Sequence, residues 1–210
     1  MADDLPPPIV VTGKRVKKRT LAAVLGSPLA AAMLFVIIPR EESGRQVDAT
    51  VQQDGSVQVK HVAGKQYLKV YLDIVGVPTA CDGITKGMKL GQTYTEAQCN
   101  EKLEEELIAH AEPVIQCIPE LYGRPYQAVP GVDLSFNIGT AGVCKSSLVR
   151  FWRAKQWKAG CDWLIKFNKA GGREIRGLSL RRRRLQEVCY TGIVAGKTPE
   201  NLEARVKAVR

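Results

Sequence analysis

The chain has 210 residues, 45% hydrophobic and 25% charged, a balance that excludes an intrinsically disordered or polytopic membrane protein. That length suits one domain of about 150 residues with appendages. A formal charge of +10 points to a polyanionic partner and does not choose among nucleic acid, anionic lipid and bacterial cell wall.

In chain order, residues 1–13 are Pro-rich and are followed by the basic cluster KRVKKR at 14–19. Next comes LAAVLGSPLAAAMLFVII, 18 uncharged residues ending before Pro39. At 1.5 Å per residue such a run just crosses a hydrocarbon layer of about 30 Å. The preceding basic cluster then stays in the cytoplasm and everything after Ile38 lies outside. A cleaved signal peptide fits less well, because the Ala-rich part comes first and Leu34–Ile38 follow it. A buried helix of a soluble protein fits less well too, since the apolar character runs all round. Five alanines, Gly26, Ser27 and Pro28 make the span weak enough to leave the bilayer. Beside such a run, a topogenic role for KRVKKR is more economical than a nucleic-acid patch.

Further on, DATVQQDGSVQVKHV alternates valine with polar residues around Asp54-Gly55 and predicts a hairpin at about 47–62. QYLKVYLDIVGVPTA, broken by Gly76 and Pro78, reads as more small sheet. Thr95 is placed to cap a helix with Cys99, Leu103, Leu107 and His110 or Ala111 on one face. Glu101, Glu104, Glu105 and Glu106 form its solvated side. Helices are also expected in SSLVRFWRAKQWKAGCDWLIKFN and SLRRRRLQEVCYTGI, joined by KAGGREIRGL, and the last twenty residues form a short basic helix. Trp152, Trp157 and Trp163 read as core and groove wall, and Arg181 to Arg184 wrap every side of a helix, so at least one must point inward or toward a ligand. The six cysteines, Cys81, Cys99, Cys117, Cys144, Cys161 and Cys189, include no CxxC pair and have only His61 and His110 to join them. No metal site or cofactor is expected, and three disulfides in an oxidising compartment are.

The strings YLDIVGVPTACDGITKGMKLGQTYTEAQC, FNIGTAG, AGCDWL and KAGGREIRGLSLRRRRLQEVC, in that order, resemble the phage-type lysozymes of glycoside hydrolase family 24, and within them the signal-anchor-release endolysins. The resemblance runs from the anchor to about Gly192. It implies an α+β fold, a mainly helical lysozyme-like domain with a small antiparallel sheet, preceded by an N-terminal apolar membrane-anchor helix. The organisation would be a cytoplasmic 1–19, a transmembrane 20–39 and a catalytic domain over 40–210. It implies a muramidase that hydrolyses the β-1,4 bond between N-acetylmuramic acid and N-acetylglucosamine for host lysis. The protein would be held first in the inner membrane and then released to the periplasm. Its partners would be peptidoglycan and, before release, that membrane; it would be a monomer and bind no nucleic acid.

Inverting cleavage needs a protonated carboxyl to donate to the leaving oxygen and a second carboxylate, about 6.5–9.5 Å away, to activate water. The donor's carboxyl must be partly desolvated, while the base stays ionised in a polar setting. The resemblance assigns the second group to Asp73, with Thr79 helping to hold the water. In the family the first group normally stands nine residues earlier, followed by glycine, and Gly64 occupies that place here. Two explanations stand. Either the acid is Glu42 (alternatively Glu41) and the hairpin is inserted after it, or the acid is lost, naturally or by a change at Ala63, and the protein binds without cutting. The resemblance further implies disulfides Cys81–Cys99, Cys117–Cys144 and Cys161–Cys189, and makes Asn137 and Arg181 or Arg182 structural or groove-lining. Asp82 and Ile84 stand where many relatives carry an aromatic and a histidine.

Overall fold

The structure, a computed structural model, describes residues 19–209. The Pro-rich start and most of the basic cluster, 1–18, lie outside the described residues. The apolar run forms two helices, not one. Gly26 turns into the left-handed region, φ +65°, where an added Cβ would lie 2.5 Å from the Tyr122 ring. Ser27 then accepts the Ala30 N–H at 3.2 Å, and Pro28 takes the first helical position, where its missing N–H goes unmissed. The results are α1, Leu21–Leu25, and α2, Pro28–Glu42. Where the sequence suggested one membrane-crossing helix over 20–39, no helix among the described residues is long and apolar enough to cross a membrane. Leu21, Leu25, Leu34 and Ile38 are instead fully buried in the core. Pro39 does not end the helix, which continues to Glu42, so apolar face and acid share one rigid element.

The hairpin β1, Gln46–Val51, and β2, Val57–Ala63, pairs Gln46 with Ala63 at its base and Val51 with Val57 near its tip. It lies along α2, with Gly55 near the Pro28 ring and Ala49, Val57 and Val59 packed on the core. The expected small sheet is divided. Besides β1–β2 the described residues form two more two-stranded ladders, β3, Tyr71–Leu72, with β4, Pro78–Thr79, and β5, Lys169–Ala170, with β6, Arg173–Glu174.

In α3, Glu96–Cys117, Thr95 forms a reciprocal capping box with Gln98, and Cys99, Leu103, Leu107 and Ala111 make the buried face. The acidic side of α3 is not only solvated, because Glu104 accepts the Leu21 N–H at 3.0 Å and so caps α1. The centre of the molecule is α4, Pro125–Ile138, buried without a break from Gln127 to Ser135. Around it stand α2, α3, the short α5, Thr140–Cys144, and α8, Arg176–Cys189; α6, Ser147–Arg153, and α7, Trp157–Trp163, complete that side. Trp152 is fully buried. The disulfides are Cys81–Cys99, Cys117–Cys144 and Cys161–Cys189. Last, α9, Leu202–Ala208, has no buried residue and is held to α8 through Arg205, which donates to Glu187 at 2.7 Å.

Candidate active site

Both glutamates lie in the last turn of α2, and their surroundings separate them. The Glu41 carboxylate is held through both oxygens by Arg184, at 3.0 and 2.7 Å, and its side chain is 10% exposed. It faces a largely apolar groove of about 470 Å³ between α2, α8 and α9. The Glu42 side chain, 27% exposed, accepts from Arg181 through Oε1 at 2.8 Å, and its Oε2 has no hydrogen bond among the described residues. The Glu42 Cβ lies 3.8 Å from where a Cβ on Gly83 would stand, so Glu42 packs over the turn that follows β4.

Asp73 caps the other turn. Its Oδ1 accepts the N–H groups of Val75 and Val77, at 2.9 and 2.8 Å, which leaves Oδ2 without a bond among the described residues. Tyr71 pairs with Thr79, and the Asp73 N–H donates to the Val77 carbonyl, so by strand alternation the side chains at 71, 73, 77 and 79 share a face. Thr79 is buried and its hydroxyl donates to the Val77 carbonyl at 3.0 Å. The oxygen's lone pairs remain free to accept. One oriented carboxylate oxygen and a hydroxyl acceptor on one face can hold and deprotonate a water molecule.

Position 64 cannot hold a side chain. Gly64 has φ +87°, and a Cβ there would lie 2.6 Å from the Gly44 carbonyl oxygen and 3.1 Å from the Arg45 Cα. The hairpin's return strand crosses directly over the segment that leaves α2. The two ends of the hairpin therefore sit side by side, and a glutamate at the family's usual spacing would collide with backbone.

Beneath Glu42 lies a charge cluster whose centre the sequence reading missed. Asp133, fully buried in α4, accepts from Arg181 at 3.0 and 3.1 Å and from Arg182 at 3.4 Å. Burial pushes the Asp133 carboxyl above its ordinary range, against the pull of the two guanidiniums. Burial also works against the charge of Arg181, but Asp133 and Glu42 outweigh it and hold Arg181 above its usual value. Arg182 is lowered by burial to about 10 and remains charged at neutral pH. It donates to Asn137 and, at 3.0 Å, to the Phe167 carbonyl. Asn137 and Arg181 thus meet protein groups, and Arg181 supports Glu42. The available signal was a lone aspartate inside the apolar string PYQAVPGVDLSFNI, opposite arginines known to need a partner.

A family model described as phage lysozyme matches residues 62–187. That segment contains Asp73, Thr79, Asn137 and Arg181 and begins after Glu42. The SAR-endolysin of Enterobacteria phage P21 is 32% identical over 182 residues, covering 84% of this chain and 96% of that protein. The SAR-endolysin of Escherichia phage Mu is 29% identical over 157 residues, 73% of this chain and 86% of that one. Among solved structures, the active form of the P1 phage endolysin matches with a TM-score of 0.62 at 17% identity, covering 85% of this chain and 97% of that one. A mutant P22 lysozyme matches with a TM-score of 0.58 at 25% identity, covering 76% and 97%.

Proposed function

The chain belongs to the phage lysozyme family, and from that premise we propose that it is an endolysin that hydrolyses the β-1,4 bond between N-acetylmuramic acid and N-acetylglucosamine in peptidoglycan, with Glu42 as proton donor and Asp73 as base. The observation that carries the assignment is that Glu42 packs over the Gly83 turn while position 64 is closed by the Gly44 carbonyl. Glu41 is the weaker candidate, since Arg184 occupies both its oxygens. In the reaction Glu42 gives a proton to the leaving oxygen. Water held between the free Asp73 oxygen and Thr79 attacks the opposite ring face, losing its proton to Asp73. Arg181 supplies positive charge beside the carboxylate left on Glu42.

The apolar run gives the enzyme a stored form. In this reading KRVKKR stays in the host cytoplasm, residues 20–39 lie in the inner membrane, and the described structure is the periplasmic form after the run has withdrawn. The reading is supported by SAR-endolysin relatives along most of the chain and by the run's burial against α4. While the run is in lipid, Glu42 is pinned at the bilayer surface; docking of α2 brings it over the turn that follows β4.

Clearing of chloroform-treated Gram-negative cells, with the melting temperature measured on each variant, tests the assignment. Glu42→Gln and Asp73→Asn are expected to lose clearing about 10²- to 10⁴-fold, and Glu41→Gln to retain it. Undiminished clearing by Glu42→Gln rejects the donor assignment. No clearing by the unaltered protein favours a wall-binding protein that has lost its acid.

A further inference from the structure

The segment between the donor's helix and the hairpin, Ser43-Gly44-Arg45, is gripped by one buried carboxylate. Asp82, 1% exposed, accepts the Ser43 hydroxyl through Oδ1 at 2.8 Å and takes Arg45 in two parallel bonds, Nε to Oδ1 at 2.9 Å and Nη2 to Oδ2 at 2.6 Å. Arg45, 3% exposed, reaches further to Asn100 of α3 at 3.2 Å and to within 3.9 Å of Glu96. Glu96 accepts the His61 N–H of β2 at 2.6 Å, and Asn100 donates to the Val59 carbonyl at 3.4 Å. Cys81, next to Asp82, is tied to Cys99 in the same turn of α3 as Asn100. One charge pair thus gathers the end of α2, the returning hairpin strand, the turn beyond Thr79 and the start of α3.

We propose that Asp82 and Arg45 are positioning residues for the proton donor, holding Glu42 at a fixed height over the Gly83 turn. This inference rests on the reading of Glu42 as donor. Glu42 precedes Ser43 by one residue and Gly83 follows Asp82 by one, so the Ser43–Asp82 bond closes a short bracket around the Glu42–Gly83 contact. The bracket is needed because the whole hairpin, Gln46–Ala63, intervenes between donor and base, and the direct chain path between them no longer limits their separation. Fold stability alone does not account for the pair. A buried ion pair returns little more than its desolvation costs, and apolar residues of equal volume stabilise as well. An apolar pair lacks the fixed direction and spacing of a two-bond guanidinium–carboxylate contact.

The test is steady-state hydrolysis of dye-labelled purified peptidoglycan, with kcat, KM and melting temperature recorded for Ser43→Ala, Glu42→Gln and the double variant Arg45→Met with Asp82→Leu. The double variant is expected to melt near the parent temperature yet lose kcat about 10- to 100-fold at similar KM, the penalty of a donor displaced by about 1 Å. Ser43→Ala, which leaves the ion pair in place, is expected to lower kcat about threefold with melting unchanged. Parental kcat in a folded double variant, or in Ser43→Ala should the double variant fail to fold, overturns the proposal while Glu42→Gln is inactive. Parental activity in Glu42→Gln overturns the donor assignment instead, so the two failures are told apart.

Discussion

The Glu42 and Asp73 regions are built on opposite plans. On the Glu42 side three carboxylates, Glu41, Glu42 and Asp133, interlock with three guanidiniums, Arg181, Arg182 and Arg184, over a helix buried all round. On the Asp73 side a two-residue ladder ends in a turn whose Ile74 is 104% exposed and Val75 76% exposed, ordered mainly by the aspartate's own bonds to Val75 and Val77. In the proposed reading the donor is held by ion pairs and packing and the base is oriented by its own turn, and neither carboxylate is fully buried.

The sharpest way to break that contrast is at its centre. Asp133→Ala leaves Arg181 and Arg182 buried without their shared partner and should cost about 3–5 kcal/mol in chemical denaturation, with Glu42 losing the support of Arg181. Gly64→Ala attacks the crossing of the two halves. Its left-handed backbone and the 2.6 Å approach to the Gly44 carbonyl should cost about 1–3 kcal/mol, with activity falling before global stability does. A milder effect is expected in acid. Burial alone would raise the Glu187 carboxyl, but hydrogen bonds from Lys197 and Arg205 hold it below its ordinary 4.5. The α8–α9 connection is therefore at full strength above pH 4.5 and weakens as the pH falls through the lowered value, by roughly 1 kcal/mol. Hydrogen exchange should show α9 opening first. Smallest of all, Ile74→Ser and Val75→Ser should move the melting temperature hardly at all, within about 0.5 kcal/mol, because those side chains touch little.

Much of this was legible in the amino-acid order. The Asp54-Gly55 hairpin, the Thr95 cap with its Cys99–Leu103–Leu107 face, and an inward-pointing arginine each follow from local chemistry, and the structure has them all. The disulfide pairs came from the resemblance and hold as implied. The break at Gly26-Ser27-Pro28 was visible, yet averaging hydrophobicity over the run made it one helix and hid the cap that splits it. Pro39 read as a terminus, although the helix passes through it and the Ser43 N–H bonds its carbonyl. Of the site, the Asp73–Thr79 turn was readable, but the carboxylates that fix the residues around Glu42 were not. Asp133 and Asp82 lie 91 and 40 residues away along the chain, and no periodicity reports who accepts from whom across such distances.

The burial of α1 and α2 carries a consequence for timing. Leu21, Leu25, Leu34, Phe35 and Ile38 precede in the chain the α3 and α4 residues on which α1 and α2 pack. Any version of the protein whose opening helices are lodged elsewhere keeps an empty trough the length of α2, about 22 Å. In the proposed stored form such a half-furnished interior should be looser and easier for proteases to open, and release would at the same time complete the core.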